Sequence, residues 1–434
     1  MSPLLIGAAG IAALLLLILA QVPIGIAMII VGVVGYALQA GWGPALTILA
    51  SEPSGLLASV DLATVPLFLL MGTFASAAGF SADIYRAAAA FLGHRRGGLA
   101  YATIGGCAAF GAVCGSSTAT AATFAKAALP EMLRRGYAEG FTTGTIAAGG
   151  TLKSLIPPSI VMILYCIVSR TFIFDLFLAA VVPALLAIAL NLAAIWVVVR
   201  LDPSVAPRGE RAVLGERLAA LKGAAPALAL MAAVFGGLYS GIFTVNEAAS
   251  VAAVLSLAFA VARGRLDRAS LWRGLRESAS ATAMIYLIII GASIFTYYMT
   301  LARVPEALIG AIGGLAVPPV AIVAFLLVAY LILGAVFDEI AAMLITLPFV
   351  LPIIEKLGYD AVWWGIINVV VVELGMIIPP IGIIVFVLHG LAPHIALRTI
   401  YRGVLPFIVA DLVLLGLLTL VPDIALALPR ALKA

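Results

Sequence analysis

Residues 111–165 read GAVCGSSTATAATFAKAALPEMLRRGYAEGFTTGTIAAGGTLKSLIPPSIVMILY, and they decide how the rest of the chain is interpreted. A run of small hydroxyl residues occupies 115–120, and glycines and prolines follow between 149 and 159. Neither cluster favours a continuous helix, because glycine is flexible and proline lacks the N–H that a helix interior needs. The stretch therefore predicts two helix breaks inside a long apolar region.

The same layout occurs a second time near the C-terminus, as GAVFD at 334–338 and GMIIPP at 375–380. The correspondences at a constant offset of 222 are Pro130 with Pro352, Gly136 with Gly358 and Pro157 with Pro379. A constant offset over this distance indicates an internal duplication.

The composition is typical of a membrane protein. Hydrophobic residues make up 64% of the 434 residues and charged residues 10%, whereas a soluble chain carries about 25% charged residues. Apolar segments long enough to cross a bilayer recur, which predicts an all-α polytopic membrane protein embedded in lipid. The net charge of +4 is attributed to loop asymmetry, and no nucleic-acid partner is expected. Met1 to Pro3 carry no basic side chain, so we expect no cleaved signal peptide at this segment.

About ten transmembrane spans and two re-entrant helical hairpins account for the apolar pattern. The predicted spans are 4–20, 23–39, 62–79, 138–166, 174–200, 224–243, 245–262, 278–300, 360–390 and 403–422. Residues 44–60 are expected at an interface, and short arms at 82–92 and 304–315 precede the hairpins. Polar loops are predicted at 201–222 and 263–277.

Each half of the chain is predicted to contain five spans and one hairpin. The division is 1–222, with hairpin 99–133 and broken helix 138–166, and 223–434, with hairpin 318–356 and broken helix 360–390. Because five is odd, the second half has the opposite orientation and forms an inverted repeat. Placing 201–222 in the cytoplasm puts most Lys and Arg residues on that side, as the positive-inside rule requires.

Broken helices in lipid suggest ion-driven transport. At a helix break the backbone carbonyl and N–H groups lose their partners, and lipid cannot replace them. The free carbonyls can bind a cation, and the N–H groups of a helix N-terminus can bind an anion. Ser116, Ser117, Thr118 and Thr120 add neutral oxygens, which hard cations prefer. Inverted repeats with discontinuous helices are the architecture of secondary transporters. The alternative for any single hydroxyl is that it only permits close helix packing.

Five ionisable residues fall at membrane depth: Lys126, Lys153, Asp338, Glu339 and Glu373. Such groups are costly in hydrocarbon and normally face a cavity or each other. For Lys126, snorkelling to an interface is an equal alternative. The sequence contains no nucleophile–base pattern, P-loop or dinucleotide fingerprint, so an enzyme is not expected.

The motifs resemble those of the DctM-like large membrane subunit of tripartite ATP-independent periplasmic (TRAP) transporters. The matching segments are GSSTATAA at 115–122, LPEMLRRGY at 129–137, AAGGTLKSLIPPS at 147–159, GIFTVNEAA at 241–249, GAVFDEIA at 334–341 and ELGMIIPPIG at 373–382. The resemblance extends over essentially the whole chain, and the order and spacing of the segments make it specific.

The resemblance implies an elevator-type importer in the bacterial inner membrane with two sodium sites. It implies organic carboxylate substrates, such as dicarboxylates or sialic acids, and no cofactor other than the coupling sodium ions. Two partners are also implied, a small four-helix membrane subunit and a periplasmic substrate-binding protein.

Site residues carry over by position. The first sodium site would contain Ser116, Ser117, Thr120, Gly149, Gly150 and Thr151. The second sodium site would be framed by Gly334, Gly375, Ile378 and Pro379. Ser117, Ser159 and Asp338 would lie near the substrate.

Four positions depart from the family pattern. Ile378 replaces a threonine, Glu339 a hydroxyl residue, Lys126 a neutral residue and Lys153 a small or apolar one. We expect Lys126, Lys153, Glu339 and Glu373 to be candidate coupling charges. The hypothesis is that the ammonium of Lys153, or of Lys126, stands in for one bound cation and pairs with an acid such as Glu373. A buried lysine can also carry a proton, so partial proton coupling is a second interpretation.

Two rival functions remain open. One is a stand-alone ion-coupled anion symporter or antiporter of the wider ion-transporter superfamily, which needs no binding protein. The other is a membrane scaffold or channel subunit that does not itself transport. Neighbouring genes for a four-helix membrane protein and a secreted binding protein would favour the TRAP interpretation.

Overall fold

The computed structural model describes residues 3–313 and 317–433. Within these ranges the chain forms α-helices, three short 3-10 segments and turns, with no strand. This confirms the all-α prediction. Met1, Ser2 and Leu315, on which the predictions for the chain start and for the end of the second arm depend, lie outside the described residues.

Ten helices make up the first half of the chain. They are α1 Pro3–Leu19, α2 Ile24–Ala40, α3 Trp42–Leu57, α4 Thr64–Ala77, α5 Phe80–Leu92, α6 Gly98–Gly111, α7 Ser117–Arg134, α8 Glu139–Leu152, α9 Ile160–Ser169 and α10 Ile173–Leu201. Both predicted breaks are present, between α6 and α7 and between α8 and α9. The arm predicted at 82–92 is α5.

The second half follows a similar order. Its helices are α11 Leu214–Tyr239, α12 Val245–Ala262, α13 Arg268–Leu301, α14 Val304–Gly313, α15 Pro319–Val336, α16 Glu339–Lys356, α17 Ala361–Gly375, α18 Ile383–Leu391, α19 Leu397–Leu420 and α20 Asp423–Lys433. Here α15 and α16 correspond to the hairpin, and α17 and α18 to the broken helix. The sequence did not predict α20.

The two predicted polar loops are shorter than expected. Helix α11 begins at Leu214 rather than near 224, and α13 begins at Arg268 rather than at 278. The charged residues there are good helix formers, and Asp267 caps α13 by accepting a hydrogen bond from the Ser270 N–H at 2.8 Å. The boundary drawn at 222 therefore falls inside α11, and the connection between the halves lies at 202–213.

Eight segments of the described residues are long and apolar enough to cross a membrane. Seven of them coincide with predicted spans, and the eighth is α15, which was assigned to the second hairpin. The predicted spans 4–20 and 23–39 appear as shorter apolar helices, as does α17 in the predicted span 360–390. The structure thus gives a multi-span helical protein with eight candidate spans.

The helices pack as two bundles. The framework bundle consists of α1–α4 and α11–α13, in which α2 packs on α13 and α12 packs on α4. The hairpin bundle consists of α6–α10 and α15–α20, in which α8 packs on α19 and α15 on α17. Helix α5 contacts both α6 and α11, and α14 contacts both α13 and α16. The two arms therefore connect the bundles.

Glycines allow two helices of the hairpin bundle, α8 and α19, to cross with their backbones in contact. A Cβ atom placed on Gly403 of α19 would lie 1.7 Å from the Gly140 carbonyl oxygen of α8. A Cβ atom on Gly144 would lie 2.0 Å from the Gly403 carbonyl oxygen. Small residues four apart are the usual means of bringing two helix backbones together in lipid. This crossing fixes the position of α8 and therefore of the helix break between α8 and α9.

Candidate functional site

Each hairpin turns at a residue that caps its second helix. Ser116 Oγ accepts a hydrogen bond from the Ala119 N–H at 3.3 Å at the start of α7. Asp338 Oδ1 accepts from the N–H groups of Ile340 and Ala341, at 2.9 and 3.0 Å, at the start of α16. Ser116 and Asp338 are themselves 222 residues apart. The duplicated sequence thus places a capping oxygen at both hairpin tips.

The helix break between α8 and α9 lies close to the first hairpin, which α6 and α7 form. Gly149 and Gly150 are buried in α8, where a Cβ atom on Gly150 would approach Ala121 Cβ of α7 to 2.9 Å. The Thr151 hydroxyl bonds to the Ala148 carbonyl at 2.9 Å. Similarly, the Thr120 hydroxyl of α7 bonds to the Ser116 carbonyl at 2.9 Å. After α8, Lys153–Leu155 forms a 3-10 turn that leads into the prolines.

The second break is similarly close to the second hairpin. A Cβ atom on Gly375 would lie 2.6 Å from the Gly334 carbonyl carbon, so the two backbones touch. The Ile378 N–H bonds to the Gly375 carbonyl at 3.2 Å, and the Ile378 side chain is partly buried. Pro379 is exposed. This break offers backbone carbonyls but no side-chain oxygen at Ile378.

A buried chain of hydrogen bonds connects the first half of the chain with the second half beside the helix breaks. The Ser117 hydroxyl donates to Glu373 Oε1 at 2.7 Å, and its oxygen lies 3.0 Å from Ser154 Oγ. The Lys153 ammonium donates to Ser154 Oγ at 3.0 Å. Since each hydroxyl has a single hydrogen, Ser154 donates to Ser117. Donation therefore runs from Lys153 through Ser154 and Ser117 to Glu373.

Lys153 also reaches the tip of the second hairpin. Its ammonium lies 4.0 Å from Glu339 Oε1, and the Lys153 side chain is 0% exposed. Glu339 and Glu373 are also buried, at 7% and 4% exposure. Since an unpaired charge is unfavourable in a low-dielectric interior, the Lys153 ammonium and the Glu339 carboxylate stabilise each other here.

Some polar atoms at the site accept no hydrogen bond. Among the described residues, no donor reaches the second carboxyl oxygens of Glu339 and Glu373 or the buried hydroxyl of Ser159. A cavity of about 20 Å³ adjoins Glu373 and is also lined by Thr151 and Asp411. A space of that size has room for about one water molecule. The site therefore retains free oxygen atoms.

The structure brings four of the sequence-predicted residues into one cluster: Ser117, Lys153, Glu339 and Glu373. It does not bring Lys126 there, because that side chain is exposed on α7. Of the two acids, Glu339 is the direct ion-pair partner of Lys153, whereas Glu373 is reached through two hydroxyls. The remaining predicted residues line the tips and breaks around this cluster.

The sequence analysis did not identify Ser154. It also did not identify a buried polar pair outside the Lys153 cluster, Asn191 and Asp411. The Asn191 amide of α10 donates to Asp411 Oδ1 of α19 at 3.1 Å, and both side chains are buried. Asn191 and Asp411 are each an isolated polar residue in an apolar span. Such residues often have a function, so the sequence could have identified both of them. Ser154 gave a weaker signal, because a serine beside a helix break is common.

Comparison with known proteins gives a consistent result. A profile of the family described as "Tripartite ATP-independent periplasmic transporter, DctM component" matches residues 11–424. The C4-dicarboxylate TRAP transporter large permease protein DctM of Pseudomonas aeruginosa is 37% identical over 85% of this chain and 86% of its own. The ectoine TRAP transporter large permease protein TeaC of Halomonas elongata is 30% identical over 95% of this chain and 96% of its own.

The fold also resembles a solved transporter structure. The crystal structure of the YdaH transporter of Alcanivorax borkumensis superimposes with a TM-score of 0.61 and covers 91% of both chains. The sequence identity is 16%, so this likeness concerns the fold alone.

Proposed function

Because this chain belongs to the DctM family of TRAP transporter large permeases, we propose that it imports a small organic carboxylate with a sodium gradient. The chain is a multi-pass membrane transporter subunit and not an enzyme. The proposed location is the bacterial inner membrane. A dicarboxylate or a sialic acid, or a similar acid, is the proposed substrate class.

The observation that supports transport is the buried polar cluster. Ser117 and Glu339 begin the second helices of the two hairpins, and Lys153 and Glu373 lie at the two helix breaks. Polar and charged groups at membrane depth normally line a substrate or ion path. Both halves contribute to this cluster, so a movement of either hairpin changes it.

For the substrate we propose contacts with Ser117, Ser159 and Asp338. The Ser159 hydroxyl is buried without a hydrogen-bond partner among the described residues, and it lies at the N-terminus of α9, where N–H groups favour an anion. Asp338 carries the same charge as a carboxylate substrate. We therefore assign it to a hydroxyl or amino group of the substrate, since an ionised carboxylate only accepts hydrogen bonds.

For sodium we propose the oxygens around the two breaks. The first set is Ser116, Ser117, Thr120, Gly149, Gly150 and Thr151, and the second is Gly334, Gly375, Ile378 and Pro379. Hydroxyl oxygens and the last carbonyls of α8 suit a hard cation in the first set. Only backbone carbonyls are available in the second set.

Movement is proposed to follow the elevator scheme, with the hairpin bundle moving against the framework bundle. Arms α5 and α14 are the connections that such a movement would need. The proposed inverted repeat of ten spans is supported by matching helix orders and by capping residues 222 positions apart. A small four-helix membrane subunit and a periplasmic binding protein are the proposed partners.

The test is uptake into proteoliposomes that contain this chain and its small subunit, with the binding protein and radiolabelled carboxylates outside. We expect uptake only with an inward sodium gradient. Ser117→Ala should reduce uptake by at least about tenfold, because the hydroxyl chain to Glu373 is broken and a substrate contact is lost. Asp338→Ser should also reduce uptake, although serine retains the helix cap.

Lys126→Gln is the control, because this exposed residue lies on the same helix as Ser117. Its uptake should equal that of the wild type. Sodium-independent uptake would contradict the proposed coupling, and uptake without the binding protein would favour the stand-alone symporter. Full activity of both Ser117→Ala and Asp338→Ser would contradict the proposed substrate site.

A further inference from the structure

We propose that the Lys153 ammonium is a built-in cation of the first coupling site, so that this chain binds one sodium ion per substrate instead of two. The inference rests on the proposed sodium-coupled function and revises one part of it: the Lys153 ammonium, and not a sodium ion, occupies the first of the two proposed sets. It follows from the placement of one buried side chain next to the proposed ligands of the first sodium ion.

The first argument is where Lys153 lies. Its backbone is the continuation of Gly149 to Thr151, the proposed ligands of the first sodium ion. Its ammonium is bonded to Ser154, and Ser154 is bonded to Ser117, another proposed ligand. The fully buried ammonium is thus connected to an oxygen atom of the first site through one intervening hydroxyl, that of Ser154.

The second argument is charge. The ammonium lies 4.0 Å from Glu339 and is linked through two hydroxyls to Glu373. It therefore supplies the positive charge that the buried Glu339 carboxylate requires. A sodium ion bound to Ser117 and Thr151 would meet this ammonium across a low-dielectric interior, where like charges repel strongly. We therefore assign to the ammonium the place that sodium would otherwise take at the first site.

The third argument compares the two halves. Gly375 corresponds to Lys153, since both precede the prolines of their helix break, Pro157 and Pro379, which keep the offset of 222. In the second half, Gly375 touches the Gly334 backbone and has no room for a side chain. In the first half, Gly111 of the hairpin lies against Lys153, and a Cβ atom there would be 2.8 Å from Lys153 Cβ. The missing side chain of Gly111 is what accommodates the lysine, so the built-in cation belongs to one half only.

The experiment counts bound sodium without a substrate. The chain is purified with its small subunit in lipid nanodiscs, and equilibrium binding of radioactive sodium is measured against a choline background. The wild type should bind one ion. Lys153→Met keeps most of the side-chain volume and removes the charge, so it should bind two ions. Its sodium-dependent thermal shift should become about twofold steeper, because stabilisation follows the number of ions bound.

Two further variants complete the test. Lys126→Met makes the same change at the exposed lysine of α7 and should leave the count at one. If Lys153→Met does not fold, the double variant Lys153→Met with Glu339→Gln removes both charges of the pair, and it should bind two ions through Glu373 and the hydroxyls.

The outcomes separate the inference from the proposed function. Two ions on the wild type, or one ion on a folded Lys153→Met or double variant, would overturn the built-in cation and leave sodium coupling intact. A wild type that binds no sodium would contradict the coupling itself.

Discussion

Gly403→Ala is expected to separate α19 from α8 and to remove most of the folded protein. The new Cβ atom would lie 1.7 Å from the Gly140 carbonyl oxygen and 2.3 Å from its carbonyl carbon. These are backbone atoms of a buried helix, so no side-chain rotation relieves the overlap. Overpacking of this kind destabilises by about 3 kcal/mol or more where the backbone itself must move.

The measurement is the thermal unfolding midpoint and the yield of monodisperse protein in detergent. Gly416→Ala is the matched control on the same helix, because a Cβ atom there has no neighbour within 4 Å. Alanine is the better helix former, so the control should be as stable as the wild type. Equal midpoints for Gly403→Ala and Gly416→Ala would show that α8 and α19 are not in this contact.

Glu339→Ala should be the most destabilising single change at the site. It leaves the Lys153 ammonium, which is 0% exposed, without its direct ion-pair partner. Removal of one member of a buried pair typically costs about 3–5 kcal/mol. The thermal unfolding midpoint should therefore fall well below that of the wild type.

Two comparisons isolate the effect of burial in this second prediction. Adding Lys153→Met to Glu339→Ala should restore much of the lost stability, because the unpaired charge is removed. Asp423→Ala breaks the pair of Asp423 with Arg430, whose side chains are 72% and 62% exposed. That change should alter stability by about 1 kcal/mol or less. A similar small effect at Glu339 would mean that Lys153 is not buried in the folded protein.

Helix ends and breaks were predictable because their causes are local. The Thr244 hydroxyl accepts a hydrogen bond from the Glu247 N–H at 3.3 Å, and α12 begins at the next residue, as predicted. The starts of α11 and α13 were predicted wrongly, because their charged first turns resemble polar loops. Charge alone does not distinguish a loop from a solvated helix whose residues are good helix formers.

The burial of the two lysines at membrane depth could not be predicted from the local sequence. In the sequence, Lys126 and Lys153 are both single cations in apolar segments with a small-residue context. In the structure, Lys126 is exposed and Lys153 is completely buried beside Glu339. Which side of a helix becomes buried depends on its neighbours, and those neighbours come from distant parts of the chain.

The sequence by itself determined the all-helical membrane class, the duplicated breaks and the family, because periodicity, capping residues and motif order act over short distances. Only the tertiary structure decided which polar side chains in the stretch 111–165 contact polar side chains of the second half. Ser117 finds its partner Glu373 at a separation of 256 residues. Such a pairing depends on how two bundles pack and on which groups burial leaves unsatisfied, and no local pattern encodes either.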